Sequence, residues 1–348
     1  MVNKKTKKPT LEYIANIAGV SITTVSRVIN GSSLVREEVA KDIKRIISET
    51  GYVHKASKIE LPLSMTEVDF FCLEHLYTES SFYAEIIQSI KKEFESKKIA
   101  INIQLYNKHT TSSLLSSLIS NSQAILVLGE PEDNLTQLLY DTRLPVLLIN
   151  AIDSQMKIPS IHPDYELGGY MAASYLIENG HTKVKVITSN DRHSTCQRTD
   201  GFLRALLFSN IDHDKDDVVV DLNTYEKSDH TNFGAQELLP KLIAQGLFED
   251  VTAVFCVSDK IAYTLINALN SHNIRVPDDI SVIGFDNLTL SSIIQPALTT
   301  LSVDYSSLAK ATLIKLVRLS NEPGNIRNRA TIPVEVIERE TVKYITPM

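Results

Sequence analysis

Apolar residues in the first fifty positions recur at helical spacing in three short blocks. Leu11, Ile14, Ala15 and Ala18 share one face of the first block. Thr10 stands at its N-cap, Glu12 lies in the first turn where the helix dipole favours an acid, and Gly19 offers a left-handed stop. Val20 follows as an apolar plug. Ser21 caps the second block, whose Val25, Val28 and Ile29 face inward and which Asn30-Gly31 ends. The third block runs from about Glu37 to Thr50, with Val39, Ile43, Ile46 and Ile47 inward and Gly51 as its stop. Two short helices around a tight glycine turn, closed by a third, predict a helix-turn-helix.

From Val68 the pattern changes. Short apolar runs predict strands at Val68–Leu73, Ile99–Tyr106, Ala124–Leu128, Val146–Asn150, Val184–Thr188, Val218–Leu222, Ala253–Val257, Val282–Phe285 and Thr299–Val303. Amphipathic stretches between them predict helices at Phe82–Ser96, Ser112–Ser120, Asn134–Thr142, Asp164–Asn179, Gln197–Phe208, Gly234–Ala244, Lys260–His272 and Ser306–Leu319. Strand-helix alternation implies parallel sheets with right-handed crossovers, and unbroken apolar strands fit sheets covered on both faces. The units are too many for one small sheet. They predict an α/β body of two side-by-side subdomains behind a small all-α head.

Composition agrees: 348 residues exceed one compact core, and 43% hydrophobic with 22% charged residues is ordinary for a globular protein. Apolar runs reach about five residues, against the ~20 of a membrane helix. Cys72, Cys196 and Cys256 are too widely spaced for a disulfide framework or zinc cluster. No apolar stretch follows Met1–Lys5, so no signal peptide is expected and the cytoplasm is the expected location. Charge adds more. Residues 1–58 hold eleven bases and five acids, a charge of +6, which leaves −13 for the rest of a chain whose total is −7. A basic head on an acidic body predicts that the head meets a polyanion.

The outer face of the second helix presents Ile22, Thr23, Ser26 and Arg27. In a major groove, Arg27 can donate two hydrogen bonds to a guanine edge, and the methyl groups of Ile22 and Thr23 can touch a thymine methyl. Ser21 and Thr24 suit phosphates. In the body, a doubly covered parallel sheet binds ligands beyond its strand C-termini. Asn150, Ser258 and Asp286 each follow a strand, and Arg198 lies on the helix after Thr188. Short polar groups with no hydrophobic stripe favour a polyol such as a sugar, with Phe82 as the ring against its apolar face.

The stretch TLEYIANIAGVSITTVSRVING, residues 10–31, resembles the DNA-binding head of the lactose/galactose repressor family (LacI/GalR). The resemblance continues through Asn179-Gly180-His181, Arg198-Thr199-Asp200-Gly201-Phe202, Val257-Ser258-Asp259-Lys260-Ile261-Ala262, Ile280–Asn287 and Pro296–Thr300, and so covers Thr10 to Thr341. It implies base reading by Ile22, Thr23 and Arg27, with Thr10, Ser21, Thr24, Ser26 and Asn30 completing the DNA-facing set. It implies a hinge helix whose leucine, here Leu61, wedges into the minor groove, unstacking a base step to bend the duplex. In the body it implies an effector held by Phe82, Asn150, Arg198, Ser258 and Asp286, between two subdomains like those of periplasmic sugar-binding proteins. The implied domains are a head at 1–58, a hinge at 59–65 and a body at 66–341. The N-subdomain takes about 66–161 and 291–323 and the C-subdomain about 162–290 and 324–341, with crossings near His162, Ser291 and Pro323.

Several positions depart from the family pattern. Val53-His54-Lys55 replaces a usual Pro-Asn pair, Glu60 and Pro62 flank Leu61, Arg36 replaces a capping Ser/Thr, and Asn150 and Ser258 replace a common Asp and Asn. The expected function is a regulator, in its commonest form a repressor of sugar-utilisation genes. A homodimer would bind a pseudo-palindromic duplex, and a small sugar, a galactoside by overall likeness, would change the affinity for DNA. Whether the sugar is inducer or co-repressor is left open. Two alternatives stand beside this reading: a global carbon regulator answering a phosphoprotein, and a sugar receptor without DNA function. No G-x-S-x-G, H-E-x-x-H, C-x-x-C, Walker or G-x-G-x-x-G signature occurs, so neither catalysis, metal nor cofactor is expected. Asp212–Asp217 fails as a calcium loop, with Asp217 at the required glycine, and reads as a solvated turn. His162-Pro163-Asp164 reads as a strand end and a helix cap.

Overall fold

The computed structural model describes residues 10–29, 35, 37–50, 65–79, 81–190, 192–211, 214–224, 234–322 and 327–346. The chain falls into two units, residues 1–61 and 62–348. Asn30, Arg36, the segment 51–64 with Leu61, and Asp212-His213 lie outside the described residues.

In the first unit, α1 (Leu11–Ala18), α2 (Ile22–Ile29) and α3 (Glu37–Thr50) form as patterned. The Tyr13 amide donates to Thr10 Oγ1 at 3.2 Å, and the Thr24 amide donates to Ser21 Oγ at 3.1 Å. Gly19 takes φ 65°, and its N–H closes α1 on Ala15 O and Asn16 O. Ile14, Ala15, Val25, Val28, Ile43 and Ile46 form the buried core.

In the second unit the elements run β1 (Glu67–Leu73), α4 (Glu74–Glu79), α5 (Ser81–Glu95), β2 (Ala100–Tyr106), α6 (Ser112–Ser120), β3 (Ile125–Leu128), α7 (Asp133–Asp141), β4 (Val146–Ile149) and β5 (Ser160–Pro163). They continue with α8 (Tyr165–Glu178), β6 (Val184–Thr188), α9 (His193–Phe208), α10 (Lys215–Val218), β7 (Val219–Asp221), α11 (Ala235–Ala244), β8 (Ala253–Cys256) and α12 (Asp259–Ser271). Last come β9 (Ser281–Phe285), β10 (Thr299–Val303), α13 (Tyr305–Asn321), β11 (Arg329–Ile332) and β12 (Val334–Ile337). Two sheets result, ordered β11-β5-β4-β3-β1-β2 and β12-β10-β9-β8-β6-β7. Their ladders are parallel except at the edge, where β12 runs antiparallel to β10. The central strands are buried on both faces, as the apolar runs require.

The crossings between the sheets differ from the expected ones. The chain leaves the first sheet after β5 at Pro163, close to His162. It returns only after β10, because Leu301 and Val303 belong to the core of the second sheet and Thr299 registers with Ile283 of β9. The second crossing is therefore Asp304 rather than Ser291, and residues 291–303 belong to the second lobe. β11 then joins β5 in the first sheet and β12 joins the second, so the third crossing is Pro333 rather than Pro323. Strands β5, β11 and β12 escape the sequence pattern. Each has four residues, with Ser, His, Pro, Arg or Glu breaking any apolar run. Lys315 of α13 ties β5 to β11: its buried ammonium donates to Ser160 O and Asn328 O, both at 2.9 Å. Asp214 caps the short α10 through the Asp216 amide, so Lys215–Val218 is helical where a solvated turn was expected.

Candidate functional site

In the head, α2 buries Val25 and Val28 and turns Ile22, Thr23 and Arg27 outward, all three exposed, with Ser26 half-buried. Ser21 Oγ lies 2.8 Å from both Thr23 Oγ1 and Thr24 Oγ1, so three hydroxyls cluster at the N-terminus of α2. An exposed helix face carrying one fork-shaped cation and two methyl groups, with hydroxyls and free amides at its N-terminus, can meet base edges and phosphates together.

In the body, a cavity of about 140 Å³ opens where the first sheet's strands end beside the start of α9. Asn150, His162, Tyr83, Tyr165, His193 and Gln197 line it. Asn150 follows β4 at φ 56°. Its amide donates to Tyr83 Oη at 3.2 Å, and its carbonyl accepts from the Tyr165 hydroxyl. His162 stacks on Tyr165 at 6.2 Å between ring centroids, and its Nδ1 lies 2.8 Å from Pro163 O. A carbonyl only accepts, so Nδ1 carries the proton. Burial holds this imidazole below its ordinary pKa, which keeps it neutral with Nε2 as an acceptor.

Arg198 lies behind Tyr165 and is 4% exposed. Its guanidinium carbon sits 3.7 Å from the Phe285 ring centroid and 4.6 Å from that of Tyr165. One terminal nitrogen donates to Val257 O and the other to Asp286 Oδ1 at 3.1 Å. Among the described residues its Nε is buried without a partner. The approach of α8 to α9 depends on glycine: a Cβ on Gly169 would stand 1.8 Å from Arg198 O, and one on Gly201 1.9 Å from Glu166 O. Gly201 thus sets the seat of Arg198 one turn away. Burial pushes the Asp286 carboxyl above its ordinary range, against the pull of Arg198.

Of the five predicted effector residues, Asn150 lines the cavity directly, while Arg198 stacks behind the lining residue Tyr165 and Asp286 is paired to Arg198. Phe82 contacts Tyr83 at 5.3 Å and Tyr305 at 6.1 Å between centroids. Ser258 caps α12, accepting from the Ile261 amide at 3.3 Å, and is not among the cavity's lining residues. Sequence reasoning passed over Tyr83, Tyr165, His193 and Gln197, and at the end of β8 it chose Ser258 rather than its neighbour Asp259. Asp259 is fully buried and accepts from Ser291 Oγ and Thr300 Oγ1 at 2.5 Å and from the Leu288 amide at 2.9 Å. Burial, with the charge of Asp286, raises its carboxyl to about 7. It fastens the turn after Asp286 to α12 and β10. Its signal was in the sequence: the polar residue after β8 is an acid at the first position of a helix, where a dipole favours it.

Among the described residues no group of His, Cys, Asp and Glu could hold a metal ion, and no helix is long and apolar enough to cross a membrane. Residues 10–54 match the model of bacterial regulatory proteins, lacI family, and residues 173–342 match the periplasmic binding protein-like domain. The chain is 27% identical over 342 residues to the HTH-type transcriptional repressor PurR of Photobacterium profundum, covering 96% of this chain and 98% of that protein. It is 28% identical over 345 residues to the ribose operon repressor of Haemophilus influenzae, with the same coverage. A solved complex of the transcriptional regulator CelR with cellobiose superposes with a TM-score of 0.68 at 25% identity, covering 96% of this chain and 99% of that one. Residues 10–54 thus form a helix-turn-helix of the bacterial lacI regulatory family, joined to a periplasmic binding protein-like body of two parallel-dominated sheets, and the homologues that match along almost the whole chain are transcriptional repressors of that kind rather than enzymes.

Proposed function

We propose that the protein is a cytoplasmic repressor that binds a pseudo-palindromic operator as a homodimer and whose grip on DNA is set by a small polyol held between the two lobes. One head reads too few base pairs for genomic specificity, which favours a two-fold dimer. Ile22, Thr23, Ser26 and Arg27 read bases, while Thr10, Ser21, Thr24 and Asn30 meet the backbone and Leu61 serves as the minor-groove wedge. The observation that carries the effector reading is the wall of Asn150, Tyr83, His162 and Tyr165, backed by buried Arg198. It offers hydroxyl, amide and imidazole groups beside aromatic rings, the chemistry a sugar needs.

The cavity is smaller than the ~300–1,000 Å³ of drug-sized sites, which suits a small metabolite. CelR is complexed with cellobiose and a relative represses a ribose operon, so likeness does not single out a galactoside. Effector binding shifts the lobes between two arrangements, and its differential affinity for them sets the switch.

A thermal-shift screen of sugars and sugar derivatives tests this, followed by binding of the selected operator with and without each hit. A hit that moves operator affinity supports the reading. A protein that binds operator yet answers no metabolite refutes the effector half.

A further inference from the structure

The body is acidic as a whole, yet one groove on it is not. It holds about 700 Å³ and is lined by Arg143, Lys157 and Arg327, with Asp141 as its carboxylate. All three cations are exposed. Arg143 and Arg327 make no hydrogen bond or ion pair among the described residues. Lys157 is fixed in place. Its ammonium lies 4.3 Å over the Tyr140 ring, its amide donates to Asp153 Oδ2 at 2.8 Å, and the Tyr140 hydroxyl holds the same carboxylate at 2.7 Å.

The groove has a defined place in the topology. Arg143 stands just before β4, Lys157 before β5 and Arg327 before β11. These strands run parallel to β3 and β1, so their starts lie at the end of the sheet where β1 begins at Glu67. β1 is the first strand of this unit, so the groove opens at the end of the sheet where the unit's first strand begins.

We propose that this groove takes backbone phosphates of duplex DNA flanking the sequence that the head reads. The inference rests on the DNA-binding reading of the head. Guanidinium and ammonium groups spread over an open groove fit a polyanion whose charges repeat along a strand, and arginine forks match phosphate oxygens. A small metabolite would instead need polar groups converging in a buried pocket, which this groove lacks among its described residues.

The experiment uses the full chain with Arg143→Gln and Arg327→Gln combined, and the site that the wild-type protein selects from random-sequence duplex. That site is presented with long flanks or trimmed to its own ends. On the flanked duplex the variant should bind several-fold more weakly, and its log–log salt slope should fall by about 3.6, roughly 0.9 for each of the four phosphates that the dimer no longer neutralises. On the trimmed duplex it should match wild type, and its unfolding midpoint should not move. Equal affinity and slope on the flanked duplex overturn the proposal, as does an equal loss on both duplexes. A wild-type protein that binds neither duplex overturns the DNA reading itself, and this proposal with it.

Discussion

Replacing Arg198 with methionine asks whether the guanidinium is what keeps Asp286 ionised. Methionine retains an apolar stem against Tyr165 and Phe285, so packing is largely kept, but Asp286, 8% exposed, loses its cation. The folded protein then has two options. It can hold an unpaired buried charge at a cost of ~3–5 kcal/mol. Alternatively, the carboxyl, already pushed upward by burial, takes up a proton. At pH 7 that uptake costs ~1.4 kcal/mol for each unit above the ordinary carboxylate value near 4, or about 4 kcal/mol in all. The second route caps the first, so the variant should lose about 3–4 kcal/mol at pH 7.

The sign with pH follows from the raised folded pKa. Between the ordinary carboxylate range and that raised value, the folded state binds a proton that the unfolded state does not. Stability of the variant therefore falls as pH rises and recovers as pH falls. Urea unfolding, followed by circular dichroism because the chain has no tryptophan, should show the gap to wild type shrinking by up to ~2.7 kcal/mol between pH 7 and pH 5. A gap independent of pH would mean that Asp286 stays charged without Arg198, and the account of the buried pair would be wrong.

Other perturbations separate the head from the body. Arg27→Ala should cost roughly 1–3 kcal/mol of operator affinity and relax base preference, read by competition among operator variants; unchanged discrimination would remove Arg27 from the reading face. Gly201→Ala places a methyl 1.9 Å from Glu166 O, so α8 and α9 must separate. The melting temperature of the body and effector binding should fall together, while a variant of wild-type stability would show the close approach to be unnecessary. Lys315 is held by burial at a pKa of about 8, so in wild type the folded state sheds its proton before the unfolded state does, and stability should rise from about pH 8 toward the ordinary lysine value. Lys315→Met should flatten that rise, which urea midpoints across the alkaline range would reveal.

Much of this architecture was legible in the chain because its signals are local. Thr10, Gly19 and Ser21 punctuate the head, and each does in the structure what its side chain or backbone freedom predicts. The central strands were legible because burial on both faces leaves an uninterrupted apolar run. The last strands on the crossing side of the first sheet carry no such mark: β5, second from the edge, ends in His162-Pro163 and edge strand β11 begins with Arg329, and their identity is fixed by partners far along the chain. The crossings were misplaced for the same reason. Nothing local at Ser291 or Pro323 states which sheet the next strand will join. In the site, Arg198 and Asp286 were visible as polar residues at strand or helix ends. The tyrosines that frame them were not, because a buried tyrosine looks like core until its hydroxyl has a partner.

The two lobes are built alike, and this gives the tyrosines a role. Replacing β11, β5, β4, β3, β1 and β2 by β12, β10, β9, β8, β6 and β7 turns one sheet order into the other. The first two crossings repeat as well. Asp164 caps α8 and Asp304 caps α13, accepting from Leu167 N at 3.1 Å and Ser307 N at 2.9 Å, and a tyrosine follows each. Tyr165, on the helix of the second lobe, reaches back to Asn150 of the first; Tyr305, on the helix of the first, reaches Asp286 O of the second at 3.4 Å. Each hydroxyl straps the lobes at their present separation.

Removing one hydroxyl should cost about 1 kcal/mol or less of stability, since water can replace the donor at half-buried Asn150. If the straps form only in the effector-bound arrangement, Tyr165→Phe should weaken effector binding by about fivefold, Tyr305→Phe by less, and the double variant by nearly the product. Calorimetric titration of an effector hit into the three variants measures this. Variants that lose stability but keep wild-type effector affinity would show that the straps persist in both arrangements and do not report on closure.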